Sequence, residues 1–355
     1  MTMKQDESPN PVTYRLVSSE DSPALESLIA ATSDSGGIGF TDDYQAEMLA
    51  VHRALADDLH GAVALRNGKV IGMVFGEVGP VQLAGQVRAG VYLSHLRVHP
   101  DHRRQGVGRG LSDWGLDYIT GLLGLDAVLY GAIMAGNFSL RLADRYGFRA
   151  TGPIQGGVVP VRKHPPASHP DLGVRTAMDG DLLLIAAGMN HFYREHNLWS
   201  PVSAEGLGTF LAQEVAGVRP NRLYVVERKG RIVAGLSLSD RTKLVRMRLT
   251  RAPRYVRLLG GWLGLLPPSG ILEALTVRRV WFRDGELEAA RHLWQTLRYT
   301  LREQGNCLGI ACDPRDRLAE VFQVPFWLPM FEARYLVRAP GGLEPGRLTY
   351  CLAGA

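Results

Sequence analysis

Cysteine is scarce in this chain of 355 residues: Cys307, Cys312 and Cys351 are its three thiols. An odd number, with no histidines at ligand spacing nearby, excludes a disulfide framework and a zinc-knuckle pattern. The thiols are expected to be reduced, and no metal centre is expected. Lysine is scarcer still for a basic protein. Lys4, Lys69, Lys163, Lys229 and Lys243 stand among 40 basic residues, so arginine carries nearly all the positive charge. The net charge of +5 suits anionic ligands but does not by itself indicate nucleic acid. No stretch reaches the roughly 18 apolar residues that mark a membrane span. The start, "MTMKQDESPNP", lacks the apolar core of a secretory signal. These absences predict a cytoplasmic protein with no membrane partner. What is present is a soluble composition, 46% hydrophobic and 21% charged, with enough chain for two domains.

The chain resembles itself. "YRLVSSEDSPALESLI" from Tyr14 is echoed by "VRTAMDGDLLLIAAGM" from Val174, with Arg15 matching Arg175 and Asp21 matching Asp181. "AVALRNGKVIGMVFGEV" is echoed by "YVVERKGRIVAGLSLSD", two hairpin patterns turning at Gly68 and Gly230. "LSHLRV" (93–98) is echoed by "LEALTV" (272–277), and "RLADRY" (141–146) by "RLAEVF" (317–322). Four matches in one order predict a duplicated domain. The expected boundaries are residues 12–162 for the first copy, 163–173 for a linker, "KHPPASHPDLG", and 174–355 for the second copy. The second copy carries an arginine-rich insertion over residues 241–270, read as a solvated loop or helix face.

One stretch carries most of the chemical information. "VHPDHRRQGVGRGL" (98–111) follows the alternating run "VYLSHLRV" and precedes apolar residues at helical spacing. It therefore predicts a strand, a glycine turn and a helix. The first N–H groups of a helix have no partner within it, and the helix dipole adds partial positive charge there. Gly106 and Gly108 leave that turn bare, while Arg103, Arg104 and Arg109 surround it with cations. The pattern fits a phosphate or diphosphate. It lacks the third glycine of a dinucleotide fingerprint and the Gly-Lys-Ser/Thr of a P-loop.

"VHPDHRRQGVGRGL" resembles the acyl-CoA signature of the GNAT N-acyltransferase superfamily, an Arg/Gln-x-x-Gly-x-Gly/Ala turn after a V-x-P strand end. "GNFSLRLADRYGF" (136–148) resembles the second signature of that family. The resemblance implies an α/β (α+β) fold of two GNAT-like domains. Each would be a mixed, mostly antiparallel twisted sheet flanked by helices, with its fourth and fifth strands splayed. It implies acetyl-CoA as co-substrate, held by the strand end Leu96, Arg97 and Val98 and the loop Arg103, Arg104, Gln105, Gly106, Val107, Gly108 and Arg109. Asn137 would contact the pantetheine arm beyond the fifth strand. The implied reaction is attack by an amine, on a small molecule or peptide, at the thioester carbonyl. The oxyanion would be held near Leu96.

An ammonium group with a pKa of about 10 must lose a proton before it attacks. His95 on the fourth strand and Glu77, read as closing the third, are the candidate bases. The tyrosine that often serves this family as acid is replaced by Ala143, so Ser139, water or an unassisted thiolate would complete the step. Asp42 and Asp43 in "GFTDDYQAEML" are read as helix caps. In the second copy "VRRVWFRDGELEAARHL" keeps Gly285 but crowds the helix start with Asp284, Glu286 and Glu288, which predicts a degenerate copy that no longer holds CoA. A non-catalytic acyl-CoA sensor is the alternative reading. An aminoacyl-tRNA-using transferase is a third, and the bare CoA turn argues against it, as it argues against nucleic acid.

Overall fold

The computed structural model describes residues 11–32, 39–56, 58–134, 139–251, 260–261, 269–342 and 346–351. The first half contains β1 (Thr13–Leu16), α1 (Ser22–Ala31), β2 (Gly39–Tyr44), α2 (Met48–Leu55) and β3 (Leu59–Arg66). It continues through β4 (Lys69–Leu83), β5 (Gln86–Val98), α3 (Val107–Leu123), β6 (Val128–Met134), α4 (Ser139–Arg145) and β7 (Arg149–Pro160). The second half contains β8 (Leu172–Thr176), α5 (Leu182–Phe192), β9 (His196–Asn197), α6 (Ala204–Ala212), β10 (Asn221–Arg228) and β11 (Arg231–Ser239). After β12 (Val245–Arg251) and β13 (Ile271–Leu272) come β14 (Ala274–Phe282), α7 (Leu287–Thr300), β15 (Cys307–Cys312), α8 (Leu318–Phe322), β16 (Phe331–Arg338) and β17 (Leu348–Thr349).

Both halves begin with the same device. Arg15 bridges Asp21 at 2.7 Å, and Arg175 bridges Asp181 at 2.6 Å. Each aspartate also accepts a backbone N–H three residues earlier, from Ser18 and from Met178, both at 2.8 Å. These charge-assisted bonds hold both carboxyl groups below the usual range, the paired arginine being the largest cause. They fix the turn from first strand to first helix.

The sequence predicts a separate main sheet for each half; in the structure one sheet runs through both, beside two small ones, β13-β12-β2 and β17-β9. The twelve strands of the large sheet run β1-β3-β4-β5-β6-β16-β7-β15-β14-β11-β10-β8. The order is the same read from either end, once each strand of one half is exchanged for its counterpart. The two last strands have changed places: β16 pairs with β6, and β7 pairs with β15. Exchange gives both inner edges a partner and joins the halves through the β16–β7 pair.

Helices cover both faces. On one, Leu25, Leu28, Met48 and Leu49 of α1 and α2 pack on Val63, Met73 and Phe75. On the other, Val107 and Leu111 of α3 pack on Ala62, Ala64 and Ile71. The second half crosses over the α1/α2 face. Part of the insertion forms β12, which pairs with β2 of the first half from Val245↔Tyr44 to Arg251↔Gly39. The expected solvated loop is thus, over its described part, a strand. Asp42 and Asp43 lie in β2 rather than capping a helix, and Asp43 meets Arg248 at 3.2 Å. Strand pairing wins there because β12 supplies backbone partners along one edge of the segment. Val51 of α2 is buried with Val215 and Leu244 of the second half. The Gln82 amide donates to the carbonyls of Tyr193, Arg194 and His196, at 3.2, 2.9 and 2.8 Å.

Candidate active site

β5 and β6 run parallel and are paired at Gly90↔Val128, Val91↔Leu129 and Tyr92↔Tyr130. Beyond Tyr92 they part, although β5 continues to Val98 and β6 to Met134. Gly131 sits at the point of parting; a Cβ there would meet the Leu93 carbonyl oxygen at 2.6 Å. The gap opens toward the amino end of α3.

That helix start is bare. Gly106 has φ +82° and an added Cβ would meet nothing within 4 Å. Arg103, Arg104, Gln105 and Gly106 are all exposed. Arg104 is also left-handed, with φ +61°. Arg103 Nε donates to Val98 O at 3.0 Å, which folds the loop back onto the strand end. Gln105 is held by Asp101 O at 2.9 Å and by Arg66 at 2.6 Å. Arg109 turns along the helix to Asp113 at 3.5 Å. The Val107 side chain is buried, so this residue presents only its backbone to the turn. Asn137 lies outside the described residues. Ser139 is half-buried at the start of α4.

Opposite Val74 of β4, β5 carries two residues, His95 and Leu96, because Met73 faces Arg97 while Phe75 faces Ser94. This β-bulge holds His95 at φ +54°, a conformation that costs roughly 1–2 kcal/mol for a residue with a Cβ. His99 N–H bonds to Ile71 O at 2.9 Å, toward β4. Strand alternation then turns the peptide groups of Val98 and Leu96 away from β4, into the gap. Arg97 reaches the other way and donates to the Thr32 carbonyl.

On the α1/α2 face the bulge assembles a cluster of rings. The His95 ring lies 4.8 Å from His52 and 5.4 Å from Phe75. Tyr44 and His52 are hydrogen-bonded at 2.9 Å. Burial holds the His95 imidazole well below the usual histidine range, and His52, Arg97 and Arg241 push the same way. His52 is pushed down to about 4, by burial and then by Arg241.

Glu77 does not end a strand, as the sequence reading has it. It lies midway along β4, paired with Leu59 on one side and Tyr92 on the other, and is half-buried. The short run "GEV" reads as a strand end because Gly79 and Pro80 follow, but β4 continues to Leu83 with Pro80 still paired to Ala89. The charge of Glu77 reaches the hydroxyls of Tyr92 and Tyr130. Burial, with Glu77 adding to it, keeps both phenols protonated far above neutrality. The Tyr92 hydroxyl bonds to the Ala132 backbone, across the point where the strands part. Tyr335 of the exchanged strand β16 completes this floor, 6.5 Å from Tyr92 and 6.2 Å from Tyr130 between ring centres.

Sequence reasoning missed His52, Tyr92, Tyr130 and Tyr335. The alternation in "VYLSHLRV" shows that Tyr92 and Ser94 share a face, and that signal was available. Tyr335 had none, because its place depends on the strand exchange. Tyr146 is half-buried, and its hydroxyl donates to Asp113 at 2.5 Å.

The second half has the matching gap, and it is filled. β14 and β15 pair in parallel only from Ala274↔Cys307 to Thr276↔Gly309. Thr276 therefore stands where Tyr92 stands, and the match of 93–98 with 272–277 is out of register by several residues. The bulge in β14 falls at Arg278, two residues past Thr276, close to the place of the β5 bulge. Tyr193 donates to Val280 O at 2.6 Å and accepts from Val280 N–H at 3.2 Å. Tyr350 donates to Arg278 O at 3.0 Å. These hydroxyls take the backbone groups that face an open gap in the first half. At the helix start Glu286 binds Arg228 at 3.1 Å.

Residues 25–148 match the Acetyltransferase (GNAT) family. No curated protein sequence matches the chain. Among solved structures, the chain is similar to a GCN5-related N-acetyltransferase from Sphaerobacter thermophilus, with 18% identity, a TM-score of 0.58, and 94% of this chain and 99% of that one covered. It is similar to Saccharomyces cerevisiae N-myristoyltransferase with bound myristoyl-CoA, with 12% identity, a TM-score of 0.63 and coverage of 96% and 88%. A GCN5-related N-acetyltransferase from Anabaena variabilis gives 13% identity, a TM-score of 0.52 and coverage of 93% and 73%. At such identities these likenesses concern the fold. The family match makes residues 25–148 of this chain a domain of the acetyltransferase (GNAT) family, a family of acyltransferases.

Proposed function

We propose that the chain is an acetyl-CoA-dependent N-acetyltransferase, with a primary amine of a small molecule or peptide as acceptor. One observation carries the reading: β5 and β6 part at Tyr92↔Tyr130, and the gap leads to an exposed helix start at Gly106. A diphosphate at that start accepts the N–H groups of residues 106–108, with Arg103 and Arg104 neutralising its charge. The pantetheine arm lies along Leu96 and Val98, whose peptide groups face the gap. The thioester carbonyl points to the bulge, where the Leu96 N–H stabilises the oxyanion.

Of the two candidate bases, Glu77 is the better placed. His95 is neutral near pH 7, but burial, and then the charges around it, make it a weak proton acceptor. It serves to shape the bulge and the acceptor wall. Glu77 takes the proton that the attacking amine loses, through one water. The C–N bond forms, the C–S bond breaks, and the thiolate takes a proton from Tyr130. The charge of Glu77 is felt at Tyr130, so the first proton can return to the phenol. A thiol pKa of about 8.5 makes the thiolate a good leaving group, so breaking the C–S bond needs little help from this acid.

The buried tyrosines Tyr92, Tyr130 and Tyr335 close the floor of the acyl site in this reading, which favours acetyl over a long chain. The second half is a degenerate GNAT-like copy over residues 174–355. Tyr193 and Tyr350 occupy its gap, and it acts as a wall of the acceptor site. The test is release of free thiol from acetyl-CoA with an amine panel, alongside calorimetry of CoA binding. Turnover is the expected result. Tight CoA binding without turnover on any amine would make the protein a sensor, and no CoA binding would overturn the reading.

A further inference from the structure

Three arginines of the second half face the site from across the molecule. Arg241 precedes β12, the strand laid over the first half. Its charge is felt at Tyr44, His52 and His95 on one side and at Arg278 on the other. It therefore lies between the candidate reaction centre and β14. Arg278 and Arg279 are neighbours on β14 at its bulge, where Ser237 faces Arg279 and Leu238 faces Val277. The bulge leaves Arg278 opposite no residue of β11 and lets consecutive side chains turn inward together. Arg279 stacks over Phe210, its guanidinium carbon 4.9 Å from the ring centre.

The two arginines of β14 each keep one N–H unsatisfied. Arg278 Nε and Arg279 Nη1 are buried with no hydrogen-bond partner among the described residues. Arg241 and Arg279 both push against the charge of Arg278, and Glu77 is the carboxylate whose charge reaches it. Burial and those neighbours bring the Arg278 guanidinium down to about 10, an unusual displacement for arginine. Buried N–H groups without acceptors, on a guanidinium that two other cations press upon, call for an anion. A guanidinium fork matches a carboxylate in shape as well as in charge.

We propose that the acceptor is an amino carboxylate, such as an α-amino acid, whose carboxylate is bound by Arg241, Arg278 and Arg279 while its amine faces Glu77 and the thioester. The proposal rests on the acetyltransferase reading and gives the second half a task, recognition of the acceptor's far end. The CoA phosphates do not meet this need, since they would sit at the exposed turn beside α3, at the other end of the gap.

The experiment compares matched trios on the full chain: phenylalanine, its amide and phenethylamine, then alanine, its amide and ethylamine, each with acetyl-CoA. The expected result is a kcat/KM for at least one α-amino acid that exceeds that of its uncharged or decarboxylated relative by roughly 100-fold. Arg278→Gln and Arg279→Gln should raise KM for that amino acid by roughly 10- to 100-fold, so that the ratio within the trio collapses toward one. Arg278→Lys, which keeps charge without the fork, should recover part of the ratio. Arg241→Gln, at a half-buried position, gives a second variant if the β14 changes fail to fold. Equal kcat/KM across every trio, or an equal loss for amino acid and amine, overturns the proposal. If wild type turns over no amine, saturation-transfer NMR with the same amino acids decides separately. A signal lost in the arginine variants upholds the carboxylate site, and no signal in wild type overturns it.

Discussion

Replacing Gly106 by aspartate separates the anion-binding role of the turn from its role in folding. Gly106 sits at φ +82°, and a Cβ there meets nothing within 4 Å, so the new side chain collides with no neighbour. The left-handed conformation costs a residue with a Cβ roughly 1–2 kcal/mol, and aspartate is among those that tolerate it. A carboxylate at a helix start offsets about 0.3–1 kcal/mol of that through the dipole. The folded state should therefore lose only about 1 kcal/mol. Ligand binding should lose far more. Two unit charges of like sign about 4 Å apart, at an effective dielectric near 20, repel by about 4 kcal/mol. That is roughly a thousandfold in Kd. Gly106→Asn has the same shape and backbone cost without the charge, and should stay within about tenfold of wild type. Calorimetry of acetyl-CoA against the three proteins at one low salt concentration, with thermal unfolding alongside, gives the comparison. Aspartate and asparagine variants of equal affinity, or an aspartate variant that binds like wild type, would place the diphosphate elsewhere and refute the reasoning.

Four further outcomes are expected. Glu77→Gln should lower kcat by about 100-fold or more with acetyl-CoA affinity held, and stopped-flow thiol release that matches wild type would remove Glu77 as base. Tyr335→Leu should admit butyryl-CoA as a donor, visible as a rise in its kcat/KM relative to acetyl-CoA; an unchanged ratio would show that the tyrosine floor does not set acyl length. His52 is neutral in the folded protein down to about 4, against 6.5 in the unfolded chain. Unfolding therefore takes up a proton below pH 6.5, and this part of the stability is full above 6.5 and lost as pH falls toward 4. The thermal midpoint of His52→Gln should fall less steeply across that window, and parallel slopes would contradict the assignment. Gln82→Leu leaves the carbonyls of Tyr193, Arg194 and His196 without their donor and should cost about 2–3 kcal/mol in urea titration. A loss below about 0.5 kcal/mol would mean that water replaces the amide.

Local signals in the sequence reached the first half well. The glycine turn, the helix after it and the strand before it follow from spacing alone, because each is specified by residues within a few positions. The Arg15–Asp21 and Arg175–Asp181 pairs were visible as a repeat for the same reason. Long-range pairing was not visible. Glu77 reads as a strand end because Gly79 and Pro80 are usual breakers, yet Pro80 is tolerated in β4 opposite Ala89. Asp42 and Asp43 read as caps because nothing nearby announces that β12, some two hundred residues on, will pair with them. The tyrosine floor draws Tyr335 from the far end of the chain, and the arginines opposite His95 come from an insertion and the bulge in β14. A site assembled between halves is written in pieces that have no meaning until the halves meet.

The exchange of β7 and β16 also bears on how the chain reaches its native state. During synthesis the strand "VLYGAIM" emerges with its outer row of peptide groups bare, and its partner is made only after nearly all of the second half. An early domain cannot finish and wait; it must hold a sticky, half-made edge open while the ribosome works. Such an edge is a natural target for chaperones and a point of entry for aggregation. Severing the chain at residues 163–173 should yield two pieces that are insoluble when made apart and recover together, as interlocked rather than adjacent modules would.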